Sequence, residues 1–136
     1  MKHRVRVSAP FSFRGKTFHP EIVLDMERFL AEGKGLEDIH PMLAAANGIG
    51  GYSYEYEMLE AAPLHFDRPE GLVGEYLVKG RLDLDGLRAA LQRQKRLELL
   101  AGLAREKMKI ESLEEIPGLA EALLAAYEAG SRTTPD

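Results

Sequence analysis

The stretch that decides the fold is residues 4–25, RVRVSAPFSFRGKTFHPEIVLD. Apolar side chains stand at every second position in both halves, with basic or polar side chains between them, which is the period of a half-buried β-strand. The alternation therefore predicts an antiparallel β-hairpin with one apolar face. The apolar positions are Val5, Val7, Ala9, Phe11 and Phe13 in the first half and Phe18, Ile22 and Leu24 in the second.

The predicted turn of this hairpin is Gly15-Lys16, because a two-residue loop with glycine first is a common hairpin connection. This turn places Phe13 opposite Phe18, and a slip of one residue would move every apolar side chain to the other face. In the same register Pro10 falls in a hydrogen-bonded pair and cannot donate. We therefore expect a bulge or bend near Pro10, or a change of register before it.

Most of the chain after Asp25 is predicted to be helical. Capping residues begin these segments, and glycine or proline ends them. The fold class is thus α+β, with one N-terminal antiparallel β-hairpin packed against about six α-helices. We expect a single globular domain over 1–130, a disordered tail over 131–136, and short strands at 64–66 or 81–83. The predicted helices cover about 26–32, 38–46, 54–62, 67–79, 84–108 and 117–129.

Residues 48–60, GIGGYSYEYEMLE, have two interpretations. As a strand, the segment would carry three tyrosines on one face. As a helix capped by Ser53 and ended by Pro63, it would divide them between two adjoining stripes, and the run MLEAAP favours the helix. The glycines match neither the dinucleotide fingerprint nor the Walker pattern, so they are predicted to punctuate the chain between two helices.

The candidate ligand or partner surface combines aromatic, acidic and imidazole side chains. Tyrosine hydroxyls beside glutamates could serve a partner, a cation or a basic peptide, although core packing of the rings is the simpler explanation. No two histidines have the spacing of a helix-face metal site. We therefore expect no metal and no cofactor, and we assign no catalytic residue. The candidate residues are Tyr52, Tyr54, Tyr56, Glu55, Glu57, His40 and His65.

The second candidate surface is the basic side of the hairpin, whose basic residues have no local acidic residue on their own strand. It is either an exposed face whose edge is protected by charge or a site for an anion or an acidic partner. The acidic segments 21–66 and 110–136 could supply such a partner, within the protein or in a second copy. The basic residues are Lys2, Arg4, Arg6, Arg14 and Lys16.

Composition limits the class of protein. The 136 residues contain no cysteine and carry a formal net charge of −4. Disulfides and thiolate chemistry are therefore excluded, and a reducing compartment is favoured. We recognise no signal peptide and no apolar run of the ~20 residues that a membrane span needs. These features predict a soluble, cytoplasmic bacterial protein.

Function is predicted only in outline. The lack of a catalytic constellation, the alternating charge and a two-stranded sheet with open edges favour a non-enzymatic interaction or assembly module. Such a module would bind itself or another protein, and not a membrane. One alternative is a small-ligand-binding protein or enzyme with its site around Tyr52, Tyr54 and Tyr56. A second is weak nucleic-acid binding by the basic hairpin, with an affinity that should fall steeply with salt. Nucleic acid is the less favoured partner, and its stacking on the tyrosines is disfavoured because Glu55 and Glu57 would repel phosphate.

Overall fold

A computed structural model describes residues 2–133, and it confirms the α+β class. Residues up to Arg88 form one compact unit and residues from Ala89 a second. The single domain expected over 1–130 stays a prediction. The strands are β1 (Arg4–Ser8), β2 (Phe11–Phe13), β3 (Lys16–Phe18), β4 (Glu21–Asp25), β5 (His65–Asp67), β6 (Leu77–Val78) and β7 (Arg81–Leu82). The α-helices are α1 (Met26–Ala31), α2 (Ile39–Ala46), α3 (Tyr54–Ala61), α4 (Leu84–Met108) and α5 (Leu119–Thr133).

The N-terminal hairpin is present, but its predicted turn is wrong. The turn residues are Arg14 and Gly15, with φ of 52° and 77°, and Phe13 pairs with Lys16. Two successive positive φ values define a type I′ turn, which matches the twist of the flanking strands. The true register differs from the predicted one by two residues. Because a shift of two leaves each side chain on its own face, the hydrophobic pattern could not detect the error.

The predicted irregularity near Pro10 is confirmed as a break in both strands. β1 and β2 are separated at Ala9-Pro10, and β3 and β4 are separated at His19-Pro20. Across the break, the Ala9 N–H donates to the Pro20 carbonyl at 3.2 Å. In this register Pro20 lies at a hydrogen-bonded position of the ladder, and Pro10 lies at a non-hydrogen-bonded position. The hydrogen-bonded position predicted for Pro10 is therefore wrong. Pairing continues on both sides in the same register, so the ladder loses only local hydrogen bonds.

The largest sheet among the described residues has three strands, in the order β4-β1-β5, so β1 is its central strand. The two-stranded sheet with open edges is therefore a wrong expectation. β5 pairs antiparallel with β1, and beyond it the Glu70 N–H donates to the Arg4 carbonyl at 2.7 Å. Arg68 between these contacts has φ of 49°, which bends the chain as a bulge does. Val5 and Val7 form the inner face of β1 and are fully buried.

The helix predicted over 67–79 is also wrong. Asp67 ends β5 instead of capping a helix, because its carboxylate accepts hydrogen bonds from Arg6. A 3-10 helix over Gly71–Tyr76 follows, and β6 and β7 then form a second small hairpin. Its turn residues Lys79 and Gly80 have φ of 52° and 75°, the same geometry as the first turn.

α1 and α3 begin at their predicted caps. Asp25 accepts hydrogen bonds from two backbone amides of α1, and the Ser53 hydroxyl accepts one from the Tyr56 N–H at 3.2 Å. The helix interpretation of the tyrosine stretch is thus confirmed as α3. α2 ends at Ala46, and the Ile49 N–H reaches back to the Ala44 carbonyl at 2.9 Å, as in a Schellman motif. α2 packs on β4, and α3 packs on β2 and α2.

The second unit contains the part of α4 from Ala89 and all of α5. A 3-10 helix over Leu113–Glu115 lies between the two helices. α5 continues through Gly130, which was predicted to end it, and the last three residues of the expected tail lie outside the described chain. Arg96 on α4 lies 3.9 Å from the Glu128 carboxylate and 5.3 Å from the centre of the Tyr127 ring, so these contacts link the two helices.

Candidate functional site

The three candidate tyrosines do not share one environment. Tyr52, which precedes α3, is fully exposed, and Tyr54 is largely exposed on the first turn of the helix. Tyr56 is partly buried, and burial, followed by the nearby Glu60 carboxylate, raises the pKa of its phenol. The tyrosines therefore do not provide one continuous aromatic wall.

A cleft of about 460 Å³ lies beside these tyrosines, and none of the three lines it. Its walls come from the join between β3 and β4, from the end of α2 with the glycine loop, and from the start of α3. Its volume falls within the ~300–1,000 Å³ of small-molecule sites. The lining residues are Phe18, His19, Pro20, Asn47, Gly48, Ile49, Gly50, Ser53 and Glu55.

Local structure explains how this cleft is shaped. The Asn47 amide donates to the Leu43 carbonyl at 2.8 Å and to the Glu21 carbonyl at 3.1 Å, so it ties the end of α2 to β4. Gly48, with φ of 70°, turns the chain out of the helix. The Ser53 hydroxyl donates to the Gly50 carbonyl at 2.7 Å, which closes the glycine loop against α3.

Two polar side chains of the cleft are not used by the fold. Among the residues that the structure describes, none donates a hydrogen bond to the Glu55 carboxylate or forms an ion pair with it, and the same holds for the His19 imidazole. Phe18 provides the aromatic wall, and its ring is stacked on Phe11 at 4.9 Å between centroids. The cleft therefore offers a carboxylate, an imidazole and an aromatic surface.

The other candidate residues of this group lie elsewhere or are already occupied. The His40 Nε2 donates to the Ala62 carbonyl at 2.9 Å, which ties α2 to the end of α3. His65 is exposed on β5 opposite Ser8, and Glu57 is exposed on α3. Within residues 2–133, no group of three or more His, Cys, Asp or Glu side chains could hold a metal ion.

The basic side of the hairpin meets acidic residues of its own chain. Arg4 forms two hydrogen bonds to Glu70, the shorter at 2.6 Å. Arg6 donates twice to Asp67, with one bond at 2.7 Å, and lies 3.6 Å from Glu21. The hydrogen bond from Arg6 is the main reason that the pKa of Asp67 is lowered. This internal neutralisation disfavours these two arginines as a site for an external anion.

Among the described residues, the remaining basic side chains of this candidate surface form no ion pair. The Arg14 guanidinium lies over the Phe13 ring at 5.1 Å from its centroid, at the hairpin turn. Lys2 and Lys16 are exposed. The sequence pattern placed Arg4 and Arg6 together on one side of β1, but it missed residues 67–70, whose Asp67 and Glu70 bind them. It also grouped Lys16 with them, whereas Lys16 pairs with Phe13 and so lies on the apolar side of the hairpin.

Sequence reasoning missed the role of His3. Its side chain is only 1% exposed, Nδ1 accepts a hydrogen bond from the Leu72 N–H at 2.9 Å, and Nε2 lies 3.5 Å from the Glu27 carboxylate. Because Nδ1 is an acceptor, the ring proton is on Nε2 and faces Glu27. The alternation of β1 could have predicted this burial, because His3 stands two residues before Val5 and continues the buried positions Val5 and Val7.

Comparison with protein-family models, with curated proteins and with solved structures finds no match. The arrangement of residues is therefore the basis for a functional conclusion.

Among the described residues, no helix combines the length and the apolar composition required to cross a membrane.

Proposed function

We propose that this chain is a non-enzymatic interaction module that associates with a second copy of itself through α4. The observation that carries the proposal is a pair of exposed leucines one helical turn apart. Leu99 is 53% exposed and Leu103 is 46% exposed, whereas Leu100 and Ala104, one residue further along in each case, are buried. Large apolar side chains on the outer side of an already packed helix are typical of protein contacts. We also propose that the protein is located in the cytoplasm.

The charges around these leucines support a second copy as the partner. Lys95 precedes Leu99 by four residues and Glu106 follows Leu103 by three, so all four side chains lie on one face of α4. A twofold axis midway between the leucines would run the two helices antiparallel. Leu99 would then pack on Leu103 of the second copy, with Lys95 beside its Glu106. Such a face is complementary to itself, as an isologous dimer requires.

The wider charge distribution of the second unit favours the same partner. Residues 89–109 carry six basic and two acidic side chains, whereas residues 110–133 carry one basic and five acidic ones. Stable interfaces bury about 800 Å² on each partner, and two half-exposed leucines supply only part of this area. We therefore expect a weak dimer with a dissociation constant on the order of micromolar.

Light scattering and native mass spectrometry across a concentration series test the proposal. The protein should change from monomer to dimer, and a Leu99→Gln, Leu103→Gln variant should remain monomeric. Val78→Gln is the matched control, because Val78 is 62% exposed on β6, outside the proposed face. Lys95→Glu and Glu106→Lys should each weaken the dimer, and their combination should restore it. A strict monomer at several hundred micromolar, or a dimer indifferent to the leucines, contradicts the proposal.

A further inference from the structure

The cleft between β3 and α3 contains groups that the fold does not use. Of its described side chains, Glu55 is the one carboxylate, and none is a lysine or an arginine. Glu55 is partly buried and lies in the first turn of α3. A ligand that neutralises it must supply a positively charged hydrogen-bond donor.

The apolar part of the cleft indicates what that donor is attached to. Phe18 is held by its stacking on Phe11, with the two rings inclined by only 10°. Pro20 is buried and rigid, and Ile49 is partly buried at the end of the glycine loop. Rigid apolar walls with a few polar groups are the usual composition of a small-molecule site. An aromatic face also attracts a cation directly.

We propose that this cleft binds a small organic cation, with an amidinium, guanidinium or ammonium group paired to Glu55 and a flat or aliphatic body against Phe18. The His19 imidazole adds a hydrogen-bonding group at the rim, where it can meet a polar substituent of the ligand. An anionic ligand is disfavoured because Glu55 would repel it. This site lies within the first unit and is independent of the proposed contact through α4.

Benzamidine is a suitable probe because it combines a flat ring with an amidinium. Its neutral analogue benzamide and its anionic analogue benzoate have nearly the same shape, so the series isolates the effect of charge. Titrations of the full chain, followed by amide chemical shifts in NMR, should move the signals of Gly48, Gly50 and Glu55. We expect benzamidine to bind about tenfold more tightly than benzamide, a difference of about 1.4 kcal/mol, because only benzamidine forms a charge-assisted hydrogen bond to the carboxylate. Benzoate should not bind.

Glu55→Gln should remove the tenfold preference while leaving the amide spectrum of the rest of the first unit unchanged. Glu57→Gln is the matched control, because Glu57 lies on the same helix, is exposed and does not line the cleft. Acetyl-arginine amide as a further probe separates two sources of the same chemistry. Tighter binding of acetyl-arginine amide than of benzamidine assigns the cleft to a protein side chain, and the reverse order assigns it to a free small molecule. Equal binding of benzamidine and benzamide, retention of the preference in Glu55→Gln, or shifts outside the cleft overturns the proposal.

Discussion

Gly71→Ala provides the sharpest test of how the first unit is assembled. Gly71 has φ of 68°, and an added Cβ would lie 2.3 Å from His3 Nδ1 and 2.6 Å from the Lys2 carbonyl oxygen. Both distances are far below van der Waals contact. Neither obstacle can move freely, because His3 is buried and hydrogen-bonded to Leu72 and the second obstacle is backbone.

The expected destabilisation has two parts. Positive φ costs an alanine about 1–2 kcal/mol. Forcing His3 aside leaves the Leu72 N–H without its acceptor, which costs about 1–3 kcal/mol more. We therefore expect the free energy of unfolding to fall by about 2–5 kcal/mol. Gly33→Ala is the matched control, because Gly33 has φ of 74° and no atom within 4 Å of the added Cβ. It should cost only the backbone part, about 1–2 kcal/mol.

Urea unfolding followed by circular dichroism measures both variants, and the midpoint should shift much further for Gly71→Ala. The same substitution in a His3→Ala background separates the two obstacles, because removing the imidazole leaves only the Lys2 carbonyl in the way. The loss should then be smaller than in the wild-type background. Equal losses for Gly71→Ala and Gly33→Ala would falsify the close packing of His3 against the 3-10 helix.

Three further predictions concern the turns, the sheet and α3. Arg14→Asn and Lys79→Asn should each stabilise a type I′ turn by about 0.5–1 kcal/mol and so raise the thermal midpoint of unfolding. The gain should be smaller for Arg14→Asn, because this substitution also removes the contact of Arg14 with Phe13. A lower thermal midpoint for both variants would contradict the assigned turn geometry. Because the pKa of Asp67 is lowered in the folded state, its contribution is present above about pH 4 and disappears as the pH falls through the folded pKa. Acid titration of Asp67→Asn should therefore show a flatter loss of stability below about pH 4, and an unchanged acid limb would exclude this ion pair as the cause. Ser53→Ala should cost about 1 kcal/mol in urea unfolding by removing the cap of α3, and no change would mean that the cap is not formed in solution.

Local signals predicted the parts of the fold that depend on local physics. Alternation over 4–25 identified the hairpin and its apolar face, and side-chain caps at Asp25 and Ser53 located α1 and α3. The turn was misplaced because a type I′ turn normally carries Asn-Gly. Arg14 takes a positive φ here, and the residue type does not predict this conformation. The error of two residues was invisible to the pattern of faces.

Long-range pairing explains the larger error at 67–79. Asp67 and Pro69 resemble the start of a helix, but Asp67 is bound by Arg6, a partner 61 positions away. The same limit applies to the cleft. Glu55 was singled out from its local context, whereas Phe18 and His19 reach it only through the folding of the hairpin onto α3, which no local signal encodes.

The central position of β1 has a consequence for synthesis on the ribosome. β1 can pair with β4 once residue 25 has emerged, but its other edge receives β5 only after residue 67 has emerged. Unsatisfied strand edges invite pairing with other chains. The nascent protein therefore carries an unprotected strand edge while about 40 more residues are made, which takes about 2–8 s at elongation rates of about 5–20 residues per second. Slow elongation between the codons for residues 25 and 67 would prolong this interval and so favour aggregation.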